Sequence, residues 1–581
     1  MRNQVVLLLV AVLLLGSCSD GAGRAEKADG EADASSDVAA DVAQPDGTEV
    51  SDDVQTDLAD QNDLTADTDG IEVDGQDTSD VTELVDFQTS VDVSTSTGEL
   101  LGVESGGLRV FKGIPYAEPP VGDGRFRAPR GKAAWDGVLD ASDFGASCLQ
   151  GYATFNETSE DCLTLNVWAH TDTTPRPIMV WLYGGGFVLG ESATPLYDGA
   201  DLAVGADVVV VSLNYRLGLF GSLALPELQA EDARGAAGNM GLLDQIEALR
   251  WLKANAPAFG GDPNQLTVFG ESAGGISVCA LMGAPLADSL FLRAIIESGN
   301  CSLFASTQPS PRWTKTAFEV GEEVAAGLGC DSGDRLACLR ALSAFELLAA
   351  TEVSPFSGGL LTNELTYGPT IDGVVLPKKP FDRIAAGEAP VRDVLVGSNG
   401  NEGSLFTSTE VILSRQGFAD RLTEEYGDAA VAQSVVDLYS PMEFFLAKDA
   451  FTAFVGEALF NCDTMLLTKH LAGRGFVYHL TAGPTSTMTT YGPTHGAEMF
   501  YVFGNMMVAG VVPTLYDLSL SDDIQAAWGA FAWTGAPSWT GGWPAMTAAA
   551  PSHLEISTFP SVESEFRGGR CELLDALGVL P

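Results

Sequence analysis

The chain has 581 residues, of which 45% are hydrophobic and 19% are charged, so it is long enough to bury a large apolar core. Its formal net charge of -49 argues against a nucleic-acid partner, because phosphate binding requires clustered Lys and Arg side chains that this sequence lacks. The sequence contains no internal repeat, and no linker interrupts it after about residue 95, which favours one large folded unit there.

The first residues have the pattern of an export signal. Arg2 precedes an apolar run at residues 5–15 that is too short to span a bilayer comfortably. The run ends in Leu-Gly-Ser-Cys at 15–18, which resembles the lipobox of bacterial lipoproteins, in which the cysteine is lipidated and becomes the mature N-terminus. We therefore expect residues 1–18 to be a lipoprotein signal peptide and Cys18 to anchor an exported protein in the membrane of a bacterial cell envelope. The alternative is a plain secretory signal with an incidental cysteine.

Residues 19–93 have the composition of a disordered acidic linker. They consist mainly of Asp, Ala, Thr, Val, Gly and Ser, with Phe87 as the only aromatic side chain and Arg24 and Lys27 as the only bases. Such a segment cannot bury enough apolar surface to offset the entropy lost on ordering. We expect a tether between the lipid anchor and a folded domain at residues 94–581.

Strand and helix patterns alternate through that domain. The sequence predicts strands at 160–168, 176–183, 207–213, 265–269, 292–298 and 391–397, and helices at 241–252 and 276–282. The strand at 207–213 is continuously apolar, as a parallel strand buried on both faces should be. The alternation predicts an α/β fold with a mostly parallel sheet, in which the active-site groups lie at the carboxyl ends of the strands.

Gly-Glu-Ser-Ala-Gly at 270–274 lies between the strand at 265–269 and the helix at 276–282. This is the context of a nucleophile elbow, in which a tight turn exposes Ser272 and the flanking glycines let a substrate approach. A glycine-rich turn after a strand is also a common structural device, so the motif alone leaves catalysis open.

A serine hydroxyl needs a base to take its proton and a carboxylate to orient that base. His495 lies in a loop flanked by glycines that can present an imidazole, whereas His479 lies in a strand-like run typical of a packed core histidine. Glu402 belongs to a polar turn at 397–403 directly after a predicted strand. Asp372 is the rival acid, although an Asp before Gly commonly caps a turn.

Three separated motifs carry a family resemblance. They are Gly-Ile-Pro-Tyr-Ala at 113–117, Glu-Asp-Cys-Leu at 160–163 and Gly-Glu-Ser-Ala-Gly-Gly at 270–275. Residues 94–581 resemble a type-B carboxylesterase, the family that includes acetylcholinesterase and several lipases. The resemblance implies an α/β-hydrolase fold and serine-dependent ester hydrolysis without a cofactor.

The resemblance also implies roles for individual residues. It places the catalytic triad on Ser272, Glu402 and His495, the oxyanion hole on the backbone N–H groups of Gly185, Gly186 and Ala273, and a supporting hydrogen-bond network on Glu271, Glu498 and Ser298. Among the cysteines, it pairs Cys148 with Cys162, Cys330 with Cys338, and Cys462 with Cys571. Whether Cys279 pairs with Cys301 stays open.

The loop between Cys148 and Cys162 bears on the substrate. In cholinesterases the corresponding longer loop carries a tryptophan that holds quaternary ammonium by cation–π attraction, and residues 149–159 contain none. Leu303 and Phe304 fall in the acyl-pocket region. We therefore expect a small-to-medium uncharged ester as substrate rather than a choline ester.

Two alternatives remain at the level of sequence. One is a non-catalytic binding or adhesion module on the same fold, and the other is a lipase acting on aggregated lipid. A metal site is not predicted, because the scattered histidines show no ligand spacing. The oligomeric state is left open.

Overall fold

In the computed structural model, the residues described are 89–152, 154–172, 174–309, 315–349, 367–390, 392–408, 413–484, 492–508, 510–547, 550–564 and 566–580. Cys18, the signal segment and the linker up to residue 88 lie outside them. No helix within these ranges is both long enough and apolar enough to cross a membrane.

The strands are β1 Thr89–Ser94, β2 Glu99–Ser105, β3 Leu108–Pro115, β4 Val138–Asp140, β5 Ser147–Cys148, β6 Thr158–Ser159, β7 Thr164–His170, β8 Arg176–Leu182, β9 Val209–Leu213, β10 Gly261–Glu271, β11 Arg293–Glu297, β12 Ala305–Ser306, β13 Thr370–Ile371, β14 Asp393–Asn399, β15 Gly475–Leu480, β16 His553–Ile556 and β17 Ser561–Glu563.

The α-helices are α1 Ala200–Gly205, α2 Gly218–Ser222, α3 Pro226–Glu231, α4 Met240–Asn255, α5 Ala273–Gly283, α6 Ala317–Gly327, α7 Arg335–Ala341, α8 Ala344–Ala349, α9 Pro380–Ala385, α10 Gly403–Phe406, α11 Arg415–Tyr426, α12 Ala429–Leu438, α13 Ala447–Gly456, α14 Cys462–Thr468, α15 Met499–Phe503, α16 Leu515–Thr534 and α17 Arg570–Ala576. A π-helical turn, Glu457–Asn461, joins α13 to α14. Short 3-10 turns span Gly122–Gly124, Pro195–Tyr197, Ala256–Phe259, Pro285–Ala287 and Phe566–Gly569.

One large sheet organises the described chain. Its strand order is β1-β2-β3-β7-β9-β8-β10-β11-β14-β15-β16-β17, with β4 beside β2. The pairs from β9 to β16 are parallel, whereas the pairs towards β1 and the last pair, β16 with β17, are antiparallel. The prediction of a mostly parallel central sheet with helices is therefore confirmed.

The central strands are buried along their whole length, including the charged side chains at the ends of β8 and β11, Arg176, Arg293 and Glu297. Every residue of β8, β9 and β11 is buried, which is the pattern expected of parallel strands covered on both faces. Since β8, β10, β11 and β14 are mutually parallel, their carboxyl ends meet at one edge of the sheet. The segments that follow these four strands contain Gly184, Ser272, Ser298 and Glu402.

The first strand begins earlier than the expected domain boundary. Thr89–Ser94 pairs with β2 along its full length, so this strand crosses the boundary that the sequence places between residues 93 and 94. Composition alone could not reveal this strand, because its alternating Val91 and Val93 lie in a run that is otherwise polar.

Disulfides close four loops within the described residues. The pairs are Cys148–Cys162, Cys279–Cys301, Cys330–Cys338 and Cys462–Cys571. The pairing that the sequence left open, Cys279 with Cys301, joins the helix after the elbow to the segment after β11.

Candidate active site

Ser272 has the strained backbone of a nucleophile elbow. Its φ of 55° and ψ of -120° lie outside the regions that side chains normally allow, at a cost of about 1–3 kcal/mol. The turn is held by the Ser272 N–H, which donates to the carbonyl of Glu297 at 3.0 Å. A Cβ on Gly274 would lie 1.9 Å from the carbonyl oxygen of Leu182, so this position requires glycine. The elbow therefore presents a half-buried serine at the carboxyl end of β10.

His495 and Glu402 are bonded to each other. The imidazole Nδ1 lies 2.6 Å from Glu402 Oε2, and both side chains are almost completely buried. A carboxylate at this distance fixes the orientation of the ring and holds the proton on Nδ1. The other ring nitrogen, Nε2, is then the one that can accept a proton.

Nε2 of His495 faces the elbow. It lies 3.2 Å from Oε1 of Glu271, the residue directly before Ser272. That distance suits an ion pair, yet neither atom has a hydrogen-bond partner with acceptable angles among the described residues. The geometry therefore gives a buried imidazole nitrogen that makes no hydrogen bond in the described chain and lies next to the carboxylate of the residue before the serine.

Two aromatic rings enclose the imidazole. The Phe460 ring lies 4.4 Å from that of His495, and the Phe406 ring packs edge-on at 5.1 Å. Phe460 belongs to the π-helical turn, a rare geometry that often marks functional regions. Neither phenylalanine is evident from the sequence, because a ring in an apolar helix has the same pattern as an ordinary core residue.

A network of buried polar groups supports the acid. The Ser298 hydroxyl donates to Glu402 Oε1 at 2.6 Å and is 3.0 Å from Glu498 Oε1. Asn399 contributes its backbone N–H to Glu402 and its side-chain amide to Glu498. Glu402 thus accepts bonds at both oxygens. Asn399 belongs to the polar turn quoted for Glu402, but its role depends on contacts that sequence spacing does not show.

Burial and mutual repulsion perturb the acids around this histidine. Burial raises the pKa of Glu271 and of Glu498, and the neighbouring carboxylates add to the rise. Burial alone would lower the pKa of His495, but the carboxylates of Glu271 and Glu402 outweigh it and raise that pKa to about 9. The site therefore favours a positively charged imidazole, which is the form produced when the histidine takes a proton.

The glycines after β8 lie against the elbow. Gly185 and Gly186 have φ values of 114° and 61°, and a Cβ on Gly184 would lie 3.0 Å from the Cβ of Ser272. Within the described chain, no hydrogen bond engages the N–H groups of Gly185, Gly186 or Ala273. These backbone donors are available to an oxygen that carries negative charge.

Asp372, the rival acid, has a different set of partners. Its Oδ1 accepts the backbone N–H groups of Val374, Val375 and Leu376 at 2.8–3.1 Å, and its Oδ2 accepts that of Ala237 at 3.1 Å. These are the contacts of a carboxylate that caps a turn.

Comparison with known proteins agrees with this geometry. The carboxylesterase family model matches residues 89–574. The para-nitrobenzyl esterase of Bacillus subtilis is 36% identical over 488 residues, covering 81% of this chain and 96% of that protein. The cholinesterase of Mus musculus is 32% identical over 530 residues, covering 83% of this chain and 85% of that protein. A solved structure of a PNB esterase matches with a TM-score of 0.72 and 34% identity, covering 84% of this chain and all of that one.

The chain belongs to the carboxylesterase family and is a serine ester hydrolase with an α/β-hydrolase fold.

Proposed function

We propose that this protein hydrolyses carboxylic esters through an acyl-enzyme intermediate, with Ser272 as nucleophile, His495 as general base and Glu402 as the acid that orients the base. The observation that carries the proposal is the 2.6 Å bond between His495 Nδ1 and Glu402, which leaves Nε2 as the ring nitrogen that can accept a proton, 3.2 Å from the Glu271 carboxylate that precedes Ser272. A serine hydroxyl is weakly nucleophilic until such a base removes its proton.

The reaction proceeds in two halves. Ser272 Oγ attacks the ester carbonyl carbon while its proton passes to His495 Nε2, and the carbonyl oxygen becomes an oxyanion. The N–H groups of Gly185, Gly186 and Ala273 donate to that oxyanion, and loss of one such donor typically costs about 10²–10³ in rate. The carbon–oxygen bond to the alcohol breaks as Nε2 returns the proton to the leaving oxygen.

The second half repeats this sequence with water. Water attacks the acyl carbon and gives a proton to His495 Nε2. The bond to Ser272 Oγ then breaks, Oγ takes the proton, and the carboxylic acid leaves. During both halves the imidazole becomes positively charged, and the carboxylates of Glu402 and Glu271 stabilise that charge.

The surroundings of the site favour an uncharged ester. Buried carboxyl groups cluster around His495, and the net charge of -49 repels anionic substrates. The loop closed by Cys148 and Cys162 lacks the tryptophan that binds quaternary ammonium in cholinesterases. A small-to-medium neutral ester fits these features better than a choline ester.

Hydrolysis of p-nitrophenyl esters from acetyl to palmitoyl by the full chain tests this function. We expect turnover that peaks at a short or medium acyl chain and does not rise when the ester forms aggregates. A jump in activity above the solubility limit of a long-chain ester would favour a lipase instead. No turnover of any ester by the folded protein would favour the binding module.

The pH dependence gives a second test. His495 must be neutral to act as base, so activity is present above its folded pKa and is lost as pH falls through it. Glu271→Gln removes a carboxylate that raises this pKa, and we expect the acidic limb of kcat/KM to move to lower pH by about one unit.

Glu297→Gln is the matched control for this shift. Glu297 is also fully buried and receives a hydrogen bond from Trp528, and burial raises its pKa well above the ordinary value. The carboxylates that raise the pKa of His495 are instead those of Glu271, Glu402 and Glu498. The acidic limb of kcat/KM in the Glu297→Gln variant should therefore lie at the same pH as in the native enzyme. If kcat/KM of the Glu271→Gln variant fell at the same acidic pH as that of the native enzyme, the electrostatic role given to Glu271 would be wrong.

We also propose that the protein is exported and anchored to a bacterial envelope membrane through lipid on Cys18. The support is the short apolar run at residues 5–15 followed by Leu-Gly-Ser-Cys. Cell fractionation tests this proposal: the native chain should sediment with membranes, and Cys18→Ala should not. Membrane association that survives the substitution would remove Cys18 as the anchor.

A further inference from the structure

Two histidines and a glutamate, none of them assigned to catalysis, converge on one face of the sheet. His479 on β15 and Glu555 on β16 are opposite partners in the parallel register. His553 lies two residues before Glu555, so both side chains project from the same face of β16. Sequence spacing gave no sign of this cluster, because His479 is far from the other two along the chain.

The three side chains have the spacing of a metal-binding set. His479 Nδ1 lies 2.9 Å from Glu555 Oε2, and His553 Nε2 lies 3.6 Å from the same oxygen. One ligand atom from each residue lies within 4.8 Å of the others. Zinc bonds of about 2.0–2.1 Å in a tetrahedron place ligand atoms about 3.4 Å apart, so small side-chain shifts would complete the set.

Neighbouring groups hold these side chains in place. The hydroxyl of Thr481 donates to Glu555 Oε1 at 2.7 Å, which leaves Oε2 to the two imidazoles. The ring of Phe566 contacts both histidines edge-on, with centroids 5.2 and 5.1 Å away. Hydrogen bonds and packing of this kind orient the ligands in metal sites and raise the affinity for the metal.

Both imidazoles are buried, and the cluster has access to water on one side. His479 and His553 are 6% and 4% exposed, while Glu555 is half-buried. A cavity of about 210 Å³ is lined by His553 and Phe566, so water can reach the His553 side of the cluster.

We propose that His479, His553 and Glu555 form a binding site for a divalent first-row transition ion of the zinc class. Two imidazoles and one carboxylate suit Zn²⁺ and its neighbours, whereas Mg²⁺ and Ca²⁺ require mainly oxygen ligands. The ion stabilises the fold by joining β15 to β16. The ion takes no part in ester hydrolysis, so the proposed metal site does not depend on the proposed catalytic mechanism.

Calorimetric titration of the untagged full chain with Zn²⁺, after treatment with a chelator and desalting, tests the proposal. We expect one ion per chain at a Kd of about 1 µM or lower. The thermal midpoint should rise with Zn²⁺, because a ligand that binds the folded state stabilises it. Mg²⁺ and Ca²⁺ at the same concentration should leave the midpoint unchanged.

His553→Ala and Glu555→Gln should each weaken Zn²⁺ binding about 100-fold or more. His470→Ala is the matched control, since His470 is exposed and lies outside the cluster, and it should bind as the native chain does. If a variant fails to fold, the absorption spectrum of the native chain with Co²⁺ reports nitrogen ligation without any substitution. Absence of saturable binding by the native chain, or equal affinity in native and variant chains, would overturn the proposal.

Discussion

Ser272→Ala should lower kcat by about 10⁴- to 10⁶-fold and leave KM nearly unchanged. The substitution removes the only hydroxyl at the elbow, and the remaining donors can still bind the ester carbonyl. A methyl group takes the place of the hydroxymethyl at a position whose backbone is fixed by Gly274 and the bond to Glu297. The loss therefore measures chemistry and not folding.

Steady-state kinetics with a p-nitrophenyl ester, together with a thermal midpoint, measure this effect. Ser277→Ala is a useful control, because Ser277 lies one helical turn further along α5 and its hydroxyl accepts a bond from Gln245. That variant should keep its turnover. Retention of substantial activity by Ser272→Ala would mean that another group attacks the ester.

Glu402→Gln should lower kcat by about 10⁴-fold. An amide in place of the carboxylate can hold the imidazole in the wrong tautomer and cannot stabilise its positive charge. If the amide instead turns its oxygen toward His495, its NH2 group faces Ser298 and Asn399, and the bonds that both donate to Glu402 Oε1 are lost. The size of the substitution is small, so the protein should remain folded.

Asp372→Asn is the control that separates the two candidate acids. Its carboxylate caps a turn through the N–H groups of Val374, Val375 and Leu376, and an amide oxygen can still accept one or more of these bonds. We expect stability lower by about 1 kcal/mol and turnover close to native. Near-native turnover in Glu402→Gln together with a severe loss in Asp372→Asn would reverse the assignment.

Local patterns made much of the architecture predictable. The apolar runs at 176–183 and 207–213 correspond to β8 and β9, and the elbow lies between β10 and α5 as predicted. These elements are governed by burial and by turn geometry, which act over a few residues and leave a clear pattern in the sequence. The sequence also placed Glu402 in a turn after a strand, which is where β14 ends.

Contacts between segments that are far apart in the sequence were not predictable. Phe460 contacts His495, and the Asn399 amide contacts Glu498, across segments that are far apart in the sequence. The separation of Cys279 and Cys301 along the sequence does not determine whether they form a disulfide. The cluster around Glu555 exists because of the parallel register of β15 and β16, which no short window of sequence encodes.

The most direct test of the central claim is to treat the native chain with an organophosphate and map the modified residue by peptide mass spectrometry. We expect one phosphoryl group on Ser272, formed as the reagent loses its leaving group, with hydrolysis of p-nitrophenyl esters falling in proportion to labelling. The His495→Ala variant should label far more slowly. A folded protein that hydrolyses esters while Ser272 stays unmodified would show that Ser272 is not the nucleophile.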